Sequence, residues 1–377
     1  MFREYLGRSR TVPLNVRLTS VRYLPDITPH LPRFSALKIE VVDQDQLGKI
    51  ASHFSEPAPN LRTLSISGAA QTQVGIIIPP GFFGGDFASL RTLQLTGFSF
   101  LREPQHFPQL TRFDIRSHAH TALRAGGVLE ALEQMPSLEF LRVEFCPDHY
   151  PPSSSTPTFR FVTLPRLREV QLSPFGGPDA GSPIFTPPLL SALTLPSVER
   201  ITIGVLPPTN VVVLPSSFEE QLPNFAETAT VDLRVDPEIF SILFHGLRES
   251  GLLFKTHCGF QHLFLRDGFR GTPFLSVKKM VVTFNPVGDI ELEGYVFELL
   301  RAMGRLECLE IRGQYVQLLR VWSESPMNQR TICPSLRSLV VVKTSEDSIS
   351  GLLAKLMAAR KSHGVPLVDV VEVVSGG

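Results

Sequence analysis

Residues 59–66 read Pro59-Asn60-Leu61-Arg62-Thr63-Leu64-Ser65-Ile66, and residues 136–143 read Pro136-Ser137-Leu138-Glu139-Phe140-Leu141-Arg142-Val143. Both spell one phrase: an apolar residue, two variable ones, an apolar, one variable, an apolar, with Pro two places ahead. The phrase occurs eleven times, with first anchors at Phe34, Leu61, Leu90, Leu110, Leu138, Leu167, Val198, Phe260, Val277, Leu306 and Leu336. Successive anchors lie 27, 29, 20, 28, 29, 31, 62, 17, 29 and 30 residues apart, and 62 is two periods of 31. A degenerate unit is expected in that wide gap, opening at Pro223-Asn224-Phe225 with strand residues displaced to Val231 and Leu233. Pro precedes the anchor by two in seven units (Pro32, Pro59, Pro108, Pro136, Pro165, Pro196, Pro334), where 32 Pro in 377 residues give about one by chance.

Proline fixes φ and donates no hydrogen bond, so it closes the preceding segment and opens an extended one. Each phrase therefore reads as a short strand whose second and third apolar residues, two apart, enter a core. Between strands, residues 43–54, 121–135, 291–305 and 347–363 carry helical apolar stripes, and Asp236-Pro237-Glu238 has the chemistry of a helix start. A strand and its return in about 29 residues cannot bury an apolar face alone, so units must stack. The expected fold class is α/β, a solenoid with a parallel sheet on its concave side and helices or extended loops on its convex side. Residues 1–31 form an N-terminal cap and residues 32–377 the solenoid. The stretch 147–223 holds 15 of the 32 Pro, so extended loops are expected there.

The composition narrows the function. The chain is 43% hydrophobic and 19% charged, with 36 Lys plus Arg balancing 36 Asp plus Glu. No whole-chain field draws in nucleic acid or an anionic membrane, and neither is expected as a partner. No apolar run approaches a membrane span. The opening residues lack the apolar core of a secretory signal, the four cysteines are scattered, and no Asn stands in a glycosylation acceptor pattern. An intracellular chain, cytoplasmic or nuclear, is expected.

Laid out this way, the chain resembles leucine-rich-repeat proteins over residues 32 to 342, although the Asn or Cys expected after the third apolar position stands only at Cys146 and Asn285. The opening Leu6-Gly7-Arg8-Ser9 with Pro13-Leu14-Asn15-Val16 is similar to the segment after the F-box in fungal F-box proteins. That resemblance implies a horseshoe fold, a target held on the repeats, and a Skp adaptor of a cullin ubiquitin ligase bound through the F-box. No Leu-Pro-x-Glu opening precedes residue 6, so no adaptor-binding residues carry over. The adaptor is expected as a partner only if an F-box is supplied upstream.

Catalytic chemistry finds no purchase. Gly81-Phe82-Phe83-Gly84-Gly85-Asp86 lacks the Lys and hydroxyl of a phosphate loop and reads as a turn. His118, His120, Cys146 and His149 read as strand and loop residues rather than a zinc site, and His257, Cys258 and His262 have no orienting acid. No catalytic residue, metal or cofactor is expected. The candidate binding face consists of the side chains that alternate with each buried pair: Arg112, Asp114, Phe140, Arg142, Glu169, Arg200, Phe264, Lys279 and Glu310, with Arg312 just beyond its strand core. Arg and exposed aromatics anchor protein interfaces, so a non-catalytic module binding a protein partner is the leading expectation. An enzyme with a loop-borne site and a partnerless repeat remnant are the alternatives.

Overall fold

The computed structural model describes residues 8–9, 11–41, 43–68, 78–79, 81–97, 107–116, 125–145, 161–174, 189–190, 192–205, 230–235, 239–245, 251–257, 277–284, 296, 300–301, 303–313, 316–324, 333–343, 349–365 and 367–374. The chain divides into two compact units, Met1–Val198 and Glu199–Gly377.

In the first unit the strands are β1 (Leu14–Leu18), β2 (Phe34–Val41), β3 (Thr63–Gly68), β4 (Thr92–Thr96), β5 (Arg112–Arg116), β6 (Phe140–Phe145) and β8 (Glu169–Pro174). Each pairs in parallel with the next in chain order. The register holds the phrase constant: Leu37, Leu64, Leu93, Phe113, Leu141 and Val170 lie side by side. Their side chains, and those two residues on, are buried. The expected parallel sheet with its inward pair therefore forms here.

A tight turn sets that register. The N–H of Leu61, Leu90, Leu110, Leu138 and Leu167 donates to the carbonyl three residues back at 3.0–3.3 Å, with Pro at the second turn position in all but the Leu90 turn. Pro suits that position because its fixed φ matches the turn and its missing N–H is not needed. The residue before it is a fourth buried apolar position that the phrase omitted: Ala58, Phe87, Phe107, Met135 and Leu164. The residue after each anchor then donates back to the preceding unit, as from Arg62 to Ser35 O at 2.9 Å and from Arg91 to Arg62 O at 2.8 Å. The Asn60 amide adds a bond to Pro32 O at 2.7 Å.

Behind the sheet, the helix Gln44–His53 starts on Asp43, whose carboxylate accepts from the Gln46 N–H at 2.7 Å. The helix expected over 121–135 spans Ala125–Glu133. In the Pro-rich stretch the return is extended: β7 (Val162–Thr163) pairs with β9 (Leu193–Thr194) in a separate parallel ribbon. Phenylalanines knit successive units. Phe54 meets Phe34 edge-on at 6.2 Å and stacks on Phe83 at 5.8 Å, and Phe83 stacks on Phe82 at 4.3 Å. The expected turn at Gly81 is a 3₁₀ segment, Phe82–Gly85. Seating both Phe rings there holds Phe83 at φ 52°, a left-handed conformation that costs a non-glycine residue.

In the second unit the strands are β10 (Arg200–Val205), β11 (Thr230–Val235), β12 (Ile239–His245), β13 (Gly251–His257), β14 (Lys279–Phe284), β15 (Cys308–Gly313), β16 (Ser338–Lys343) and β17 (Asp369–Val374). The displaced unit at Val231 and Leu233 is present as β11, paired in parallel with β14. Two expectations are corrected. Asp236-Pro237-Glu238 lies outside the described residues, but a strand follows it, not a helix: β12 runs antiparallel to both β11 and β13. Its sequence Ile-Phe-Ser-Ile-Leu-Phe-His is rich in β-branched and aromatic residues, and two-sided strand pairing outweighs the helix-start chemistry. An all-parallel succession therefore does not extend through this unit. The place beside β10 belongs to β13, with Ile201 opposite Leu252, while the phrase at Phe260 lies outside the described residues. Parallel order resumes from β14 to β17.

The helix expected over 347–363 is Ser350–Ser362, stopped at Gly364 with φ 76°. It buries Arg360, whose Nη2 donates to Cys333 O at 3.0 Å and to Leu336 O at 3.5 Å, with the guanidinium 5.8 Å from the Trp322 ring. Burial lowers the Arg360 pKa from its ordinary value and pushes the Cys333 thiol up to about 12. Most of residues 291–305 lie outside the described residues. Among the described residues no helix is long and apolar enough to cross a membrane.

Candidate functional site

With the inward pairs of the first unit committed to the core, the alternating residues share the opposite, open face of the sheet. Parallel register sets them in three rows. Thr63, Thr92, Arg112, Phe140 and Glu169 form the first; Ser65, Gln94, Asp114, Arg142 and Gln171 the second; Ser67, Thr96, Arg116, Glu144 and Ser173 the third. Five residues nominated from sequence, Arg112, Asp114, Phe140, Arg142 and Glu169, thus come together on three neighbouring strands.

Their geometry is ordered by side-chain pairing. The Arg112 guanidinium lies 3.7 Å from the Phe140 ring centroid, stacked across the strand pair. Asp114 is only 3% exposed, and Arg116 grips both of its oxygens at 3.1 Å from Nε and Nη2. Arg116 also reaches Glu144 at 3.4 Å, and Glu144 in turn holds Arg142. Charges alternate through this quartet, so a nearly buried carboxylate is offset on the spot. The hydrogen bonds to Asp114, with the Glu144 charge behind them, raise the Arg116 pKa above its ordinary value. Beside the quartet, Gln171 donates to Glu169 at 2.7 Å. Arg112 is exposed and has no carboxylate partner among the described residues.

Arg116 and Glu144 were not nominated from sequence. They lie one alternation past the third apolar position, the step that singled out Arg312, and carrying it through every strand finds them.

Toward β1 the same face changes character. Thr63, Ser65 and Ser67 on β3 and Thr92, Gln94 and Thr96 on β4 carry no charge, and Thr63, Ser65 and Gln94 line one flank of a trough of about 420 Å³. Asn15, Arg17, Ala36 and Lys38 form its other flank. Arg17 and Lys38 share one carboxylate: Arg17 donates to Glu40 at 2.8 and 3.2 Å, and Lys38 sits 3.2 Å away. The bond from Lys38, joined by Arg17, holds the Glu40 carboxyl below its ordinary pKa.

The second unit gathers Lys279, Glu310 and Arg312. Glu310 accepts from Arg312 Nε at 2.7 Å and lies 3.5 Å from Lys279 Nζ. Arg200 is exposed on β10 opposite Gly251, and Phe264 lies outside the described residues. Next to Arg312 the face turns apolar, with Val342 paired to it and Val373 paired to Val342 in turn. His245 Nε2 lies 2.8 Å from Asp232 Oδ2 on this unit.

Among the described residues, no three His, Cys, Asp or Glu side chains lie where they could hold a metal ion. His118, His120, Cys146, His149, Cys258 and His262 lie outside the described residues. The first-unit face carries a stacked guanidinium, a field of paired charges and a bank of hydroxyl and amide groups. No family model matches this chain, and no curated protein matches it.

Proposed function

We propose that the chain is a non-catalytic module that binds a protein partner on the open face of its first unit, with Arg112, Phe140 and the Asp114–Arg116–Glu144–Arg142 quartet at the centre. A single observation carries this reading: two neighbouring strands of the first unit place Arg112 on Phe140 at 3.7 Å, beside a carboxylate that is 3% exposed and paired with Arg116. Pre-ordered Arg and aromatic groups lose little conformational freedom on binding, which favours them as interface anchors. The constant register from β2 to β8, the Pro-led turns and the helical or extended returns support reading the fold as a degenerate leucine-rich-repeat solenoid. The resemblance to the repeat region of F-box proteins makes the target-holding arm of a ubiquitin ligase the cellular role proposed.

Affinity capture from cells with quantitative mass spectrometry tests the reading. A partner held by the natural chain is expected to fall at least about tenfold with Arg112→Glu, a reversal of the exposed anchor. It should persist with Lys49→Glu on the helix Gln44–His53, away from the open face. Equal capture by Arg112→Glu and the natural chain removes this face from the function. Absence of a Skp adaptor from captures with an F-box-bearing form of the protein removes the ligase role.

A further inference from the structure

We infer that the occupant of the trough, and of the open face that continues from it across β4 to Arg112 on β5, is an acidic peptide segment, lying across the strands with one carboxylate on Arg112 and another on the Arg17–Lys38 pair. This rests on the proposed binding role of the first-unit face and names its partner's chemistry.

Charge complementarity selects the occupant. At one end Arg17 and Lys38 have Glu40 as their shared counter-ion, two cations to one carboxylate. At the other end Arg112 is stacked on Phe140 with no carboxylate partner among the described residues. Between them the open-face residues of β3 and β4 are Thr, Ser and Gln, with no charge of either sign. The open face from β1 to β5 thus has a cationic group at each end, Arg17 with Lys38 in the trough and Arg112 beyond it, and a neutral middle of donors and acceptors that suits peptide amides. A basic peptide would meet uncompensated like charge at both ends, and an apolar one would strip water from hydroxyl and amide groups without replacing their hydrogen bonds.

The spacing follows from the sheet. Lys38 on β2 and Arg17 on β1 stand three and four strands from Arg112 on β5. At about 4.8 Å per strand the two ends are about 14 to 19 Å apart, which an extended chain covers in about four to six residues. Binding is therefore expected to favour two acidic side chains about five residues apart over the same charges placed adjacently.

The probe is a fluorescein-labelled peptide of about seven residues, capped at both termini, with Asp near each end and Ser, Ala and Gly between. Fluorescence anisotropy on the intact chain compares it with the Asn version, a version with adjacent Asp residues, and a single-stranded RNA oligomer of comparable charge. The spaced Asp peptide is expected to bind at least about tenfold tighter than the Asn peptide and to weaken steeply with added salt. Arg112→Gln and Lys38→Gln should each reduce that preference severalfold while shifting the thermal unfolding midpoint only slightly. Equal binding of the Asp and Asn peptides, indifference to both substitutions, or preference for the RNA overturns the inference. If those results come with partner capture that Arg112→Glu still abolishes, the acidic occupant is wrong and the binding face stands. If capture is also indifferent, the face itself is wrong.

Discussion

The first unit keeps chain order from β1 to β8 and closes its core with phenylalanine. The second breaks chain order at β10, where β13, β12 and β11 follow in reverse sequence, and buries a cation beside tryptophan. Yet the parity of the phrase survives the break. Buried Ile201 lies opposite Leu252 and buried Met280 opposite Val231, so the register positions of the phrase continue through the rearranged strands. The face a residue occupies is fixed by alternation within its own strand, whatever direction the neighbouring strand runs. Strand order depends instead on what the intervening segment does, and the sequence Ile239–His245 pairs as a strand where a helical return was expected.

The strongest test of this contrast is in the first core. Phe54 is fully buried and contacts Phe34 on one stretch of chain and Phe82 and Phe83 on another. Phe54→Ala is expected to cost about 3–5 kcal/mol, since the stacked rings around it cannot collapse into the space. Hydrogen exchange should accelerate in β2, β3 and β4. A loss below about 1 kcal/mol, by denaturant unfolding, would mean that the aromatic stack is not what ties these units together.

A smaller loss is expected in the second unit, where the buried group is polar. Arg360→Met keeps much of the aliphatic volume but withdraws the donor from Cys333 O and Leu336 O. Cys333 O keeps the Leu336 N–H at 3.0 Å, so the loss falls mainly on Leu336 O, and a buried acceptor left unpaired costs about 1–3 kcal/mol. The same substitution should let thiol reagents reach Cys333, whose thiol burial now holds up at about 12. If Arg360→Met is neutral and Cys333 stays protected, the guanidinium is a passenger in an otherwise apolar core and the contrast between the units narrows.

How much of this could be read from sequence depends on how strictly each unit follows the phrase. Where three apolar positions and a Pro coincide, strand, face and register all follow, as at Leu61, Leu110 and Leu138. The ladder nonetheless extends past both ends of the recognised phrases. At β17, Leu367 and Val370 take the first two apolar places, but the third is Glu372, paired with Val341, so the pattern fails on one residue. At β1, Leu14, Val16 and Leu18 are spaced two and two, and a bulge between Leu14 and Asn15 absorbs the missing residue. The fourth buried position, three places before the anchor, is not visible in the phrase because it varies from Ala58 to Phe107 and carries no fixed spacing from the unit before. Within the site, Arg112, Asp114, Phe140 and Arg142 follow from alternation alone. Which carboxylate each Arg takes does not, because side chains two apart on one strand compete with those across the register.

The smallest effect separates the two roles of Glu40. Its carboxyl is held below its ordinary pKa by Lys38 and then Arg17. A carboxylate with a depressed folded-state pKa adds stability above its unfolded value, near 4.5, and that stability is lost as pH falls through the folded value. Because the three side chains are largely exposed, the gain is well under 1 kcal/mol. Glu40→Gln should therefore lower the unfolding midpoint only slightly at neutral pH, and the two proteins should converge under acid conditions. The same change releases Arg17 and Lys38 from their shared counter-ion, so the spaced Asp peptide should bind severalfold more tightly to Glu40→Gln than to the natural chain, whereas the Asn peptide should not. Stability and affinity moving in opposite directions mark Glu40 as an occupant's rival for the trough. If both fall together, Glu40 acts only as a strut holding β1 to β2, and the Arg17–Lys38 pair drops out of the binding face.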